Sequence, residues 1–145
     1  MNARIGGFTL LELTIVTAIV AVLGAVALPS YATYVTRSRI LDGLARLADG
    51  RAKMEQFFLD QRTYVDDSGA CGVAPPAGGA ADAFSVQCTG TASTFTYTAS
   101  GVAAMGMASF VYSIDQVGSK TTLSLPPGWS RTPGCWTIRR DGLCV

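Results

Sequence analysis

Glu12 is the charged residue hardest to place without a partner. It is the single charge in the 21 residues from Phe8 to Leu28. A carboxylate held in bilayer hydrocarbon costs about 2.5 kcal/mol or more at mid-depth, so such a group normally has a neutralising neighbour. Gly6 and Gly7 stand directly before the run. A cut after Gly7 would create an α-amine on Phe8, one helical turn from Glu12, in the same chain or a neighbouring copy. A first-turn carboxylate also suits the positive end of a helix. That reading explains neither the glycine pair nor the unbroken apolar stretch.

Two further groups of residues could do chemistry. The four cysteines, Cys71, Cys88, Cys135 and Cys144, contain no CxxC pair. Behind a membrane-targeting segment they read as two disulfides formed in an oxidising compartment. Of three connectivities the sequential one, Cys71–Cys88 with Cys135–Cys144, is expected, because both closures are local and neither crosses strands. Near the end of the chain, Trp129, Arg131, Trp136, Arg139 and Arg140 gather two aromatics and three cations, joined by Lys120 and opposed by Asp141. Such a cluster suits phosphate contacts with base stacking, or else two core tryptophans under a solvated loop. The chain holds 11 basic and 10 acidic residues. That near-neutrality favours the second reading, and nucleic acid is not the expected partner.

Other chemistries are poorly supplied. There is no histidine, which excludes histidine general bases, Ser-His or Cys-His nucleophiles and His-ligated metals. Asp66 and Asp67 are adjacent, without the alternate-position ligand series of a calcium loop. No catalytic residue, metal or cofactor is expected. The composition, 49% hydrophobic with 14% charged, departs from the roughly 25% charged of an average soluble domain.

The elements that must position these residues follow from periodicity. The 21-residue run spans about 31 Å as a helix, the thickness of a bilayer's hydrocarbon core. Arg4 ahead of it places the N-terminus on the cytoplasmic side and the rest across the membrane. Pro29 closes the run, and a proline within a continuing helix removes a backbone bond and kinks it. Beyond it Ile40, Leu44, Leu47, Met54 and Phe58 keep one face, while Asp42–Arg46 and Asp49–Lys53 support the other. Gly43 and Gly50 are candidate bends. Residues 66–82 read as a loop rich in Gly, Pro and Ala. Alternating runs at Phe84–Cys88, Phe95–Ala99, Phe110–Ile114 and Leu123–Leu125 then read as half-buried antiparallel strands. The expected class is α+β: a helix of about 50 residues packed on a small antiparallel sheet. Its segments are a leader, 1–7; a membrane or filament-core half, 8–29; an amphipathic half, 30–62; and a loop-and-sheet region, 63–145.

The stretch GGFTLLELTIVTAIVAVLGAVALPSY, with Tyr34 beyond it, resembles the class III signal and N-terminal helix of type IV prepilins, most like PilE-type minor pilins. The resemblance implies cleavage after Gly7 by a prepilin peptidase and N-methylation of Phe8. It gives Glu12 a role in subunit register and makes the connection after the helix an αβ-loop and the C-terminal cysteine loop a surface D-region. It also implies a single-pass inner-membrane protein, handled by pilus assembly machinery and polymerised with other pilins for motility, adhesion or DNA uptake. Many pilins carry a glycine where this chain has Ala21; with Gly24 and Pro29 instead, the segment that melts on assembly is expected there. The alternatives are a type II secretion pseudopilin, or a DNA-binding or adhesive module displayed on a pilus. Pseudopilins more often lack such a cysteine loop, and their major member usually carries calcium there.

Overall fold

A computed structural model describes residues 8–76, 78–79 and 81–145, with Leu28 and Pro29 described by their backbone. The leader, including Gly7 of the expected cleavage site, lies outside the described residues. Two compact units are present, Met1–Val35 and Thr36–Val145. Both draw on one helix, α1, Leu10–Gln61.

In the first unit α1 begins at a capped end. Thr9 Oγ1 accepts a hydrogen bond from the Glu12 amide at 3.2 Å, and the Thr9 carbonyl accepts from the Leu13 amide at 3.1 Å. The helix uses Thr9 as its N-cap, satisfying an amide that would otherwise have no intrahelical partner. Helical backbone continues through Gly24 and Pro29. Among the described residues nothing covers its apolar side chains: Leu10 is 81% exposed, Val22 67% and Val26 71%.

In the second unit the helix packs on a sheet. Strands β1 (Phe84–Gly90), β2 (Phe95–Gly101), β3 (Val111–Asp115) and β4 (Lys120–Ser124) form an antiparallel meander in sequence order. Register follows the alternation: Cys88 pairs with Tyr97, Tyr97 with Ile114, and Tyr112 with Thr122. The core takes Ile40, Leu44, Leu47 and Met54 from the helix and Phe84, Phe95, Tyr97, Ala99, Tyr112 and Ile114 from the strands. The helical stripe and the sheet's inner face therefore meet as their two periods require.

Gly43 and Gly50 do something other than bend the helix. A Cβ at Gly43 would stand 2.7 Å from the Phe84 ring, and one at Gly50 3.3 Å from the Tyr97 ring. Seven residues apart, they lie on the same face and leave a notch for each ring. The expectation of bends is corrected accordingly: these glycines trade helix propensity for a close helix–sheet approach. Gly101 serves a tighter approach, since its Cβ would fall 1.8 Å from the Met107 carbonyl oxygen.

A second tie holds the loop before β1. Arg46 donates to both oxygens of Asp82, through Nη1 at 2.8 Å and Nη2 at 2.5 Å, and to Asp42 at 3.1 Å. Asp82 also accepts from the Gly79 amide. The guanidinium, and then that amide, hold the Asp82 carboxyl down at about 2, because both favour its charged form.

Candidate functional site

Two places gather the residues singled out above. The first is the start of α1. Phe8 is 82% exposed, and Glu12 is exposed in the helix's first turn. The Thr9–Glu12 spacing is that of a capping box; it was readable in the sequence and was missed. The polar side chains further along the run close on their own backbone. Thr14 Oγ1 donates to the Leu11 carbonyl at 2.8 Å, and Thr17 Oγ1 lies 3.0 Å from both the Leu13 and Thr14 carbonyls. Each hydroxyl thus has a partner inside the helix, which lowers the cost of placing it in hydrocarbon. The Glu12 carboxylate, by contrast, has no hydrogen-bond or ion-pair partner among the described residues.

The second place is the C-terminal loop. The structure joins Cys71 to Cys88 and Cys135 to Cys144. Inside the second pair the chain doubles back: Trp136 and Val145 exchange two backbone bonds at 3.0 Å, and the Ile138 amide donates to Leu143 at 2.8 Å. A positive φ of 88° at Gly142 makes the turn, a conformation glycine adopts without strain. Buried bonds seat this loop on the sheet. Trp136 Nε1 donates to the Ser113 carbonyl at 2.8 Å, and the Tyr112 hydroxyl donates to the Thr137 carbonyl at 2.8 Å. Thr122 Oγ1 accepts from the Thr137 amide and donates to the Cys135 carbonyl, both at 2.9 Å. Burial pushes the Tyr112 phenol well above its ordinary range, so it stays a donor.

The cations of this region fall into distinct settings. Lys120 lies 4.9 Å above the Trp136 ring. Arg131 donates to the Leu123 carbonyl at 2.7 Å. Arg139 pairs with Asp141 at 3.1 Å with about half of its side chain exposed. Arg140 is exposed, with no side-chain partner among the described residues. The Ser130 amide bonds to the Arg140 carbonyl at 3.0 Å, which runs the Arg131 segment alongside Arg139 and Arg140. The tryptophans are less available than the cations. Trp136 is buried, and Trp129 is half-buried, edge-on to Phe110 with centroids 4.9 Å apart. This agrees with the favoured reading of packed tryptophans under a solvated loop, and it leaves Trp129 little open face: the site offers charge more than aromatic surface.

Asp66 has a structural task. Its Oδ1 accepts from the Ser68 amide at 2.9 Å, the Ser68 hydroxyl at 2.6 Å and the Ala70 amide at 3.1 Å. These bonds, the hydroxyl foremost, hold its carboxyl below the usual range. Among the described residues, no group of three or more His, Cys, Asp or Glu side chains is placed to hold a metal ion.

A family model described as "Type IV minor pilin ComP, DNA uptake sequence receptor" matches residues 29–109. The chain belongs to this family. The match takes in the amphipathic part of α1, the loop after it, β1 and β2. The chain is also similar to the type IV major pilin protein PilE1 of Neisseria gonorrhoeae, 36% identical over 76 residues, 52% of this chain and 46% of that one. Fimbrial protein EcpC of Eikenella corrodens is 36% identical over 73 residues, 50% of this chain and 48% of its own. The chain therefore spans about half the length of these curated relatives. The solved structure of the Neisseria meningitidis non-core minor pilin PilV superposes with a TM-score of 0.53 at 15% identity, over 70% of this chain and 97% of that one. That likeness concerns the fold: a long helix on a four-stranded antiparallel sheet.

Proposed function

We propose that this minor pilin is a DNA-binding subunit of a type IV pilus, anchored in the inner membrane by the apolar part of α1 before it enters the filament. The observation that carries the proposal is the match to a family described as a DNA uptake sequence receptor, over the helix and first two strands. The C-terminal cations support it, with Arg139 and Arg140 inside the Cys135–Cys144 loop, Arg131 on the segment bonded alongside it, and Arg140 without a side-chain partner among the described residues. Phosphate contacts need no aromatic face, so burial of the tryptophans does not weaken this reading. Near-neutral net charge counts less than a local cluster, because screening confines each charge's influence to roughly 8 Å at physiological salt.

The remaining assignments belong to the same proposal. Prepilin peptidase cuts between Gly7 and Phe8 and methylates the new amine. Glu12 pairs with such an amine in the assembled array, and Gly24 with Pro29 marks the stretch that loses helicity. The N-terminus faces the cytoplasm and the disulfide-bonded unit the periplasm. Inner-membrane assembly machinery and other pilin subunits are the partners, and the role is structural rather than catalytic.

The test is duplex binding by the detergent-solubilised full chain, followed by fluorescence anisotropy across a salt series. Arg131→Ala/Arg139→Ala/Arg140→Ala should weaken binding and flatten the salt dependence by about 0.9 for each phosphate no longer neutralised. Its melting temperature should barely move, because exposed substitutions stay within about 0.5 kcal/mol. Binding that the triple variant leaves unchanged would remove the loop from the site. No binding by the wild type would remove the DNA reading.

A further inference from the structure

The apolar part of α1 ends in a pair of exposed tyrosines. Tyr31 and Tyr34 are 68% and 71% exposed, three residues apart and hence on one side of the helix. They are the first large polar-tipped side chains after the apolar run. In the core of the second unit the tyrosines are placed otherwise: Tyr97 and Tyr112 are fully buried, and both hydroxyls donate to backbone carbonyls. Tyr31 and Tyr34 present the whole ring and its hydroxyl outward.

Distance along the helix says what could receive them. From Phe8 to Tyr31 is about 35 Å of axial rise, and to Tyr34 about 39 Å, at about 1.5 Å per residue. A bilayer's hydrocarbon is about 30 Å thick, and about 40–45 Å with its headgroup regions. With Phe8 at one hydrocarbon boundary, Tyr31 falls in the opposite interfacial layer and Tyr34 at its outer edge, with both side chains tilted back toward the helix N-terminus and so toward that layer. Tyrosine is enriched there because its ring accepts the acyl boundary while its hydroxyl reaches phosphate, carbonyl and water.

We infer that Tyr31 and Tyr34 form an interfacial belt that fixes the depth of the helix in the membrane by docking against phospholipid headgroups of the outward leaflet. The inference rests on the membrane-anchored reading above and adds the residues that set the anchor's register. A fixed depth keeps Glu12 about one turn inside the opposite boundary, within reach of a cut N-terminus there. The belt also resists removal of the subunit from the bilayer.

Site-directed spin labelling on the full chain in phosphatidylcholine–phosphatidylglycerol vesicles tests both levels separately. A nitroxide on Val16→Cys reports whether the helix lies in hydrocarbon, and one on Ser30→Cys reports its depth at the belt. The four native cysteines are paired and leave the added thiol as the reactive one. The Val16 label should be open to oxygen and closed to a water-soluble nickel chelate. The Ser30 label should sit at headgroup depth, and Tyr31→Ala/Tyr34→Ala should shift it by one residue's rise or more, about 1.5 Å. Tyr31→Trp/Tyr34→Trp should restore the original depth. A Val16 label in lipid, with a Ser30 depth that the double alanine leaves unchanged, would overturn the belt alone. A Val16 label in water would overturn the membrane reading and the belt with it.

Discussion

One helix meets two environments in this chain, and the contrast explains most of its design. Before Val35, Leu13 is 58% exposed and Val20 62%; after Thr36, Ile40, Leu47 and Met54 are at 0%. The second segment finds its apolar cover inside the chain, on the sheet. The first finds none there. Large exposed apolar surface marks an interaction site, and a run of hydrocarbon length without a core of its own calls for lipid or for other copies of the same helix. Stability of the folded unit and capacity to assemble are therefore written into different halves of a single element.

Paired substitutions should separate the halves. Leu47→Ala leaves a cavity between helix and sheet and should cost about 2–5 kcal/mol, read as a lower denaturant midpoint of the globular unit. Leu13→Ala, its counterpart in the exposed half, should leave that midpoint in place. A smaller pair has opposite signs. Gly43→Ala forces a methyl toward the Phe84 ring and should destabilise by about 1–3 kcal/mol. Gly24→Ala meets nothing within 4 Å and should favour helix by up to about 1 kcal/mol. Circular dichroism of each variant in detergent reads both, and equal effects at the two glycines would erase the distinction drawn between them.

Acid should sharpen the same comparison. Asp82 is depressed to about 2 in the folded unit by Arg46 and the Gly79 amide. Its contribution is complete above the ordinary carboxylate pKa, near 4, and is lost as pH falls through about 2. The melting temperature of the globular unit should therefore drop between pH 4 and 2, and Asp82→Asn should flatten part of that slope. Asp66 titrates in the same direction, so the variant's slope should be reduced and not abolished. An Asp82→Asn profile parallel to wild type would show that the tie to Arg46 contributes nothing.

Much of this arrangement was legible in the residues. The run from Phe8 announced its own length, the spacing from Ile40 to Met54 gave the buried face, and the alternation at Phe84, Phe95 and Phe110 gave the strands. The errors share a cause: they concern contacts between segments distant in sequence. Gly43 and Gly50 read as weak points because nothing local says that rings from Phe84 and Tyr97 will occupy the space. Arg46 was matched with Asp42, four residues before it, while its bidentate partner Asp82 lies in a loop that sequence periodicity does not position. The tryptophans of the terminal loop had two readings, and only the fold shows Trp136 bonded to β3 and Trp129 turned edge-on to Phe110. Thr9 was a different kind of miss, since its spacing to Glu12 was a local signal in plain view.

The claim on which the rest depends is that the exposed half of α1 exists to be polymerised. Mass spectrometry of pili sheared from cells and washed free of membrane tests it directly. The chain should be recovered in that fraction with its N-terminus at Phe8, and Glu12→Gln should deplete it there while leaving its membrane level unchanged. Recovery of a chain still carrying Met1–Gly7, or its absence from pili while abundant in membranes, would contradict the assignment of that half to a filament.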